Sequence, residues 1–210
     1  MIIVIDTETT SKYPDQAHVV EIGAITEDGR KFSSLCNPGI DLSKCQEALA
    51  INGITEEEIQ EAPHIQAVAK DFIRWINSFT PVWDPPILAG YNSNNYDSRI
   101  LEREPWNIPK DWWKYDIMFM AMEEMNSAGA LPIHPYYGTP KWPRLSEAEI
   151  FFHIQRKGTS HRALSDARAT LEILEKIQKR ATCEGCLDAD NCDYEILISE
   201  NCGCSYYTEG

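Results

Sequence analysis

The sequence predicts an α/β fold, a mixed sheet covered by helices, because strand-like runs come first and helical patterns then alternate with strands. Three features carry that expectation: three β-branched or apolar runs in succession, an amphipathic stretch of helical period, and a long amphipathic stretch ahead of a cysteine-rich end. Met1 to Asp6 is a short β-branched run of the kind buried in a sheet. His18 to Thr26 is a second run, and Glu27-Asp28-Gly29-Arg30 is a turn signal before Lys31–Cys36. Three strands joined in this way predict an antiparallel meander. After Ala62-Pro63, apolar residues fall at Ile65, Val68, Ala69, Phe72, Ile76 and Phe79, spacings that fit one helix face. Pro81, Pro85 and Pro86 end that pattern, and Ile87 to Tyr91 reads as a fourth strand. Asp97 to Glu104 starts a helix that stops before Pro105. Asp116 to Asn126 reads as another helix. Leu131 to Pro143, rich in proline and aromatic residues, reads as an ordered loop, in which Tyr136, Tyr137, Lys141 and Trp142 either pack or form a lid. Helices follow over Leu145–Ile154 and Ala163–Arg180.

With 210 residues, 43% of them apolar, the chain suits one globular domain and a small appendage. No apolar run approaches the roughly 18 residues of a membrane span. The first strand begins at Ile2, so no secretory signal is expected, and a soluble, cytoplasmic protein without a membrane partner is. The net charge of −14 is unusual for a partner of polyanions. It is unevenly spread: residues 181–210 carry seven acidic residues and neither Lys nor Arg. Carboxylates neutralised by bound cations would account for part of the remainder.

Asp6-Thr7-Glu8-Thr9-Thr10 closes the first strand. Residues two apart in an extended chain point to the same side, so Asp6 and Glu8 converge and repel unless a cation lies between them. Oxygen donors alone suit Mg²⁺ or Mn²⁺. A strand that simply ends in a polar turn has the same composition. Asp97 follows Gly90-Tyr91-Asn92-Ser93-Asn94-Asn95-Tyr96, where an Asp also serves as a helix N-cap. Asp166 shares a helix face with Thr170, Ile173 and Ile177, which draws it inward, and an inward carboxylate needs a partner. His161 lies five residues earlier, and an imidazole suits a general base beside such a cluster.

Asp-Thr-Glu-Thr-Thr at 6–10, Tyr-Asn-Ser-Asn-Asn-Tyr-Asp at 91–97 and His-Arg-Ala-Leu-Ser-Asp at 161–166 resemble the three motifs of the DEDDh (DnaQ-like) 3′→5′ exonucleases. That family includes the proofreading subunit of bacterial DNA polymerase III and ribonuclease T. His18 to Ala24, Asn52 to Thr55 and Trp142 to Ala148 resemble the segments between, so the likeness covers about residues 1–180. It implies a ribonuclease H-like fold, a mixed five-stranded sheet of antiparallel meander and parallel strands flanked by helices. It also implies two Mg²⁺ or Mn²⁺ held by Asp6, Glu8, Asp97 and Asp166, with His161 as general base. Asp6 would bridge both ions, Glu8 and Asp166 would hold the one that activates water, and Asp97 would steady the other. The implied substrate is the 3′ end of single-stranded DNA or RNA, with nucleoside monophosphates as products. Many relatives carry His at the position of Asn52, so a change in substrate binding is expected there. Thr7, Ile51, Asn52, Ile54, Tyr91 and Asn92 are the candidate substrate contacts, although Ile51, Ile54 and Tyr91 equally suit the core.

Five of the seven cysteines lie between Cys183 and Cys204. Cys183, Cys186, Cys202 and Cys204 form two short pairs spaced like a zinc ribbon that would hold one structural Zn²⁺. An acidic tail with reduced thiols is the alternative. The expected organisation is an exonuclease domain over 1–180 and a Cys-rich tail over 181–210. Partner expectations are a homodimer, as in several relatives, and a polymerase or other protein recruited by the tail. Two rival readings of the whole chain are a binding module that lost turnover and an interaction protein carrying the nuclease domain as cargo.

Overall fold

The computed structural model describes residues 1–183; within it, Met1–Ile177 form one compact unit that contains the entire sheet. The cysteine-pair reading of Cys183, Cys186, Cys202 and Cys204 lies outside the described side chains. The strands are β1 (Ile2–Thr9), β2 (Val19–Thr26), β3 (Lys31–Leu35), β4 (Ile87–Gly90) and β5 (Trp113–Asp116). The helices are α1 (Gln46–Asn52), α2 (Glu56–Glu61), α3 (Ile65–Asn77), α4 (Asp97–Leu101), α5 (Ile117–Ser127), α6 (Leu145–Phe151) and α7 (Ala163–Cys183). Among the described residues, no helix is long and apolar enough to cross a membrane.

The sheet has the order β3-β2-β1-β4-β5. β1, β2 and β3 form the expected antiparallel meander, and β4 and β5 add in parallel to β1. This is the mixed five-stranded sheet, flanked by helices, that the ribonuclease H-like resemblance implied. β1 lies at its centre, and alternation along it feeds two cores. Ile3 and Ile5 join Phe72, Ile76, Ile100 and Trp106 on one face, while Val4 joins Ile117, Ala121, Ala148, Ala167 and Ile173 on the other. A smaller cluster of Val20, Leu42, Leu49, Ile54 and Ile59 lies under α1 and α2.

Several boundaries differ from the sequence reading. β5 was not expected from the pattern; Asp116 ends it and caps α5, its side chain accepting from the Met118 N–H. β1 continues to Thr9, so Asp6 and Glu8 both lie within a paired strand, with Glu8 opposite Glu21 and Asp6 opposite Gly23. The helix expected over Asp97–Glu104 stops at Leu101, and that over Leu145–Ile154 stops at Phe151. The short helices α1 and α2 occupy a stretch in which the sequence pattern indicates no element. Thr55 and Glu58 form a capping box at α2, each side chain bonded to the other's backbone N–H.

Two glycines bring the site elements together. A Cβ on Gly23 would lie 2.1 Å from the Leu164 nitrogen, so the first turn of α7 rests directly on β2 only because that position has no side chain. At the end of β4, a Cβ on Gly90 would lie 2.7 Å from Ser93 Cβ and 2.9 Å from the Ile5 carbonyl oxygen. The chain turns there through Asn92, at φ 57°, towards α4.

Candidate active site

The acidic residues of β1 face α7. Glu8, His161 and Asp166 each offer a ligand atom, and the three atoms lie within 4.8 Å of one another. Asp166 is 9% exposed, drawn inward by the same helix face that buries Ile173 and Ile177. Asp97, 4% exposed at the first turn of α4, accepts a 2.6 Å hydrogen bond from Thr7 Oγ1, which ties this short helix to β1. Asp97 is the first residue of that helix; the capping position belongs to Tyr96, whose side chain makes no cap bond. The Tyr96 hydroxyl instead bonds Thr9 Oγ1 and donates to the Ser11 carbonyl.

Crowding perturbs these carboxyls. Burial, followed by the charges of Asp97, Asp166, Glu8 and Glu21, raises Asp6 well above the usual carboxylate range. Glu8 is pushed up to about 8 by burial and by Asp166, Glu21 and Asp97, against the lowering effect of Arg162. Burial pushes Asp97 up to about 7, although the Thr7 hydrogen bond opposes it. An oxygen-rich donor set held in mutual repulsion suits a hard divalent cation, which would offset the repulsion directly.

Three supports were not visible in the sequence. Arg162 makes a forked ion pair with the buried Glu21, with contacts of 2.9, 3.0 and 3.2 Å, and the Ala163 N–H also donates to Glu21. This fastens the start of α7 to β2, one residue after His161, which is exposed with φ 59°. Arg156 donates to Asp166 Oδ1 and pairs with Glu149 at 2.7 Å. The partner that Asp166 requires is therefore supplied, in part, by an arginine. Asp116 accepts from the N–H groups of Asn92 and Asn94 at 2.9 and 3.0 Å, holding the turn that leads to Asp97. A buried acid at a strand end and a paired Arg were the available signals, but neither has a diagnostic spacing.

The candidate substrate contacts separate. Ile51 is 62% exposed and borders a groove of about 140 Å³, together with Thr10, Ser11, Lys12, Tyr13 and Lys44. Ile54 is 3% exposed and packs into the third cluster, and the buried Asn52 accepts from the Ile54 N–H at 3.1 Å. Tyr91 is half-buried against the α7-side core and donates to the Pro143 carbonyl at 3.0 Å. Its Asn92 neighbour bonds the Asn95 amide. Thr7 is committed to Asp97. In the Pro-rich loop, Tyr136, Tyr137 and Trp142 are all exposed, and Trp142 also lies edge-on to Phe119, with ring centroids 5.5 Å apart.

Comparison with known proteins agrees with the fold. The exonuclease family RNase_T matches residues 3–174. Exonuclease DPD1 of Arabidopsis thaliana, chloroplastic/mitochondrial, is 27% identical over 84% of this chain and 55% of its own length. Uncharacterized exonuclease CP81 of Escherichia phage 186 is 30% identical over 84% of this chain and 88% of its own. The DNA polymerase III subunit epsilon of Treponema pallidum is 27% identical over 80% and 72%. Among solved structures, cell-death related nuclease 4 (CRN-4) superposes with a TM-score of 0.65 at 15% identity, over 85% of this chain and 63% of that one. E. coli Exonuclease I in complex with a 5cy-dT13 oligonucleotide has a TM-score of 0.65 at 18% identity, over 86% and 41%. The chain thus spans only about half of the plant relative and less than two thirds of these two structures. The family match supports nuclease activity on nucleic acid, and the fold agrees with it. This chain belongs to the DnaQ-like exonuclease family.

Proposed function

We propose that the protein is a metal-dependent 3′→5′ exonuclease that hydrolyses the terminal phosphodiester of single-stranded nucleic acid, DNA more readily than RNA, and releases nucleoside monophosphates. The observation that carries this reading is the approach of Glu8, His161 and Asp166 beside Asp6 and the buried Asp97. Asp6, Glu8, Asp97 and Asp166 would hold two Mg²⁺ or Mn²⁺. When bound, such ions lower the barrier by stabilising negative charge on the attacked phosphate and on the leaving 3′ oxygen. His161 accepts a proton from the attacking water, a role that its exposed position at the rim allows. Thr7 fixes Asp97 in place, and Asp116 fixes the turn before it.

The groove beside Thr10 and Ser11 continues from the end of β1 and carries Lys12 and Lys44 together with Tyr13 and Ile51. Glu47 also lines it. Two ammonium groups and exposed apolar surface suit the phosphates and bases of a strand whose 3′ end lies over the carboxylates. We read residues 181–210 as a separate acidic tail following a nuclease domain of 1–180, and zinc analysis of the purified full chain would test the ribbon assignment.

The deciding experiment uses matched 5′-labelled single-stranded DNA and RNA with Mg²⁺ or Mn²⁺, an EDTA control and a 3′-phosphate-blocked copy. A ladder that shortens from the 3′ end, and disappears with EDTA or the block, is expected. Absence of cleavage by folded protein would sink the catalytic reading in favour of a binding module.

A further inference from the structure

Two arginines pair with the acids of this site, and they do so in different ways. Arg162 holds Glu21, which lies outside the group formed by Glu8, His161 and Asp166. Arg156 holds Asp166, a member of that group. Its side chain is 16% exposed, and the carboxylates on either side are also largely buried, Glu149 at 11% and Asp166 at 13%. The segment that delivers Arg156 is built against α7. Gly158, at φ 117°, turns the chain so closely that a Cβ there would meet Ser165 Oγ at 3.0 Å. The Arg168 guanidinium donates to the Lys157 carbonyl at 3.4 Å, fastening the same segment one turn further along.

A carboxylate has two oxygens. Arg156 occupies Oδ1 of Asp166, and the same carboxylate offers an oxygen within 4.8 Å of ligand atoms of Glu8 and His161. A guanidinium on a ligand carboxylate fixes its direction, but it also draws charge away from the donor and repels a divalent cation in the same site. Glu149 holds the other terminal nitrogen of that guanidinium, Nη2, at 2.7 Å, while Nη1 is on Asp166, so the two acids share its charge. The balance between the two acids then determines how much of Asp166 remains for the ion.

We propose that Arg156, braced by Glu149, is a positioning residue that shares Asp166 with the catalytic ion and holds that ion's affinity down. The proposal rests on the metal-site reading given above. It makes a prediction of sign that a merely structural role does not. Removing the guanidinium relieves the repulsion, so Arg156→Gln should bind the ion more tightly. Removing the brace leaves the guanidinium wholly on Asp166, so Glu149→Gln should bind it more weakly. If the triad only stiffened the fold, both variants would loosen Asp166 and both would lose affinity.

The test is Mn²⁺ titration of the substrate-free full chain, followed by electron paramagnetic resonance or calorimetry, so turnover is not the readout. Relative to wild type, the dissociation constant should fall about tenfold in Arg156→Gln, the scale on which partners of metal ligands act, and rise several-fold in Glu149→Gln. Arg156→Lys, which keeps the charge, should stay near wild type. Equal or weaker binding by folded Arg156→Gln would overturn the proposal. Should that variant fail to fold, unchanged or tighter binding by Glu149→Gln would overturn it instead. A wild-type chain that binds no Mn²⁺ would reject the metal-site reading itself, and the proposal with it.

Discussion

On the face covered by α3, β1 contributes Ile3 and Ile5 to a core filled by Phe72 and Trp106, with Phe32 and Trp75 packed against it. On the face covered by α5, α6 and α7, the same strand contributes Val4, Asp6 and Glu8, and the packing residues include Ala89, Ala121, Ala148 and Ala167, with Gly23 on β2. Large aromatic rings from α3 fill the space against the sheet on the first face, and on the second the missing side chain at Gly23 lets the first turn of α7 rest on β2. Bulk thus buys stability on one side, and its absence allows carboxylates from β1 and α7 to meet on the other. Stability and chemistry should therefore respond separately to mutation, depending on the face that is changed.

The strongest way to break that separation lies at the carboxylates. Asp6→Ala or Asp166→Ala should abolish metal-dependent cleavage in the gel assay while the folded signal in circular dichroism persists. His161→Ala should lower turnover by roughly 10²–10⁴, the usual contribution of a general base. Full activity in all three variants would refute the site assignment.

Next come paired changes on the two faces. Phe72→Ala, at a fully buried ring 5.1 Å from Phe32, should cost about 3–5 kcal/mol in denaturant unfolding yet leave the kinetics of the folded fraction near wild type. Gly23→Ala adds one carbon but must push the α7 backbone away, so it should cost about 1–3 kcal/mol or more and lower turnover as well. If the two variants lost activity equally at matched folded fraction, the two faces would not be independent.

A smaller effect concerns pH. Glu8 and Asp97 are raised from 4.5 to about 8 and from 3.8 to about 7, so the folded state retains protons that the unfolded chain releases. Their contribution is complete below about pH 4 and is lost as pH rises through 7 to 8. In EDTA the melting temperature should therefore fall between pH 6 and 8.5, at roughly 2–4 °C per kcal/mol for a chain of this size. Mn²⁺ should flatten the slope, and a metal-free melting temperature that rises over this range would contradict the assignment. The smallest expected change is in salt dependence. Lys12→Ala with Lys44→Ala should reduce the slope of log KM against log salt by up to about 1.4 for an oligonucleotide, at about 0.7 per phosphate contact.

Much of this architecture can be read from local pattern. The β-branched run of Met1–Asp6 reflects a strand buried on both faces, the i, i+3, i+4 spacing from Ile65 a helix buried on one, and Glu27–Arg30 the turn between two strands. β5 leaves little such pattern, because Trp113, Lys114, Tyr115 and Asp116 form a four-residue edge strand whose middle residues are exposed. The short α2 did carry a signal, Thr55 followed three residues later by Glu58, but no long apolar stripe accompanied it. Asp6, Glu8, Asp97 and Asp166 were legible because their motifs are. The Arg156 contact was not, since a reversal at Gly158 returns the chain to α7 and linear spacing does not encode that return. Ile54, which the sequence left open between a substrate contact and the core, lies in the core at 3% exposure.

The strand order has a further consequence, in time rather than in space. Three N-terminal strands can pair as soon as they exist, because β2 and β3 follow β1 closely. The acids that must join Asp6 and Glu8 lie about 90 and 160 residues further on, at Asp97 and Asp166, and contacts so distant in sequence form late. Asp97 is thus made well before Asp166, and the candidate site is complete only once α7 has settled onto β2 at Gly23.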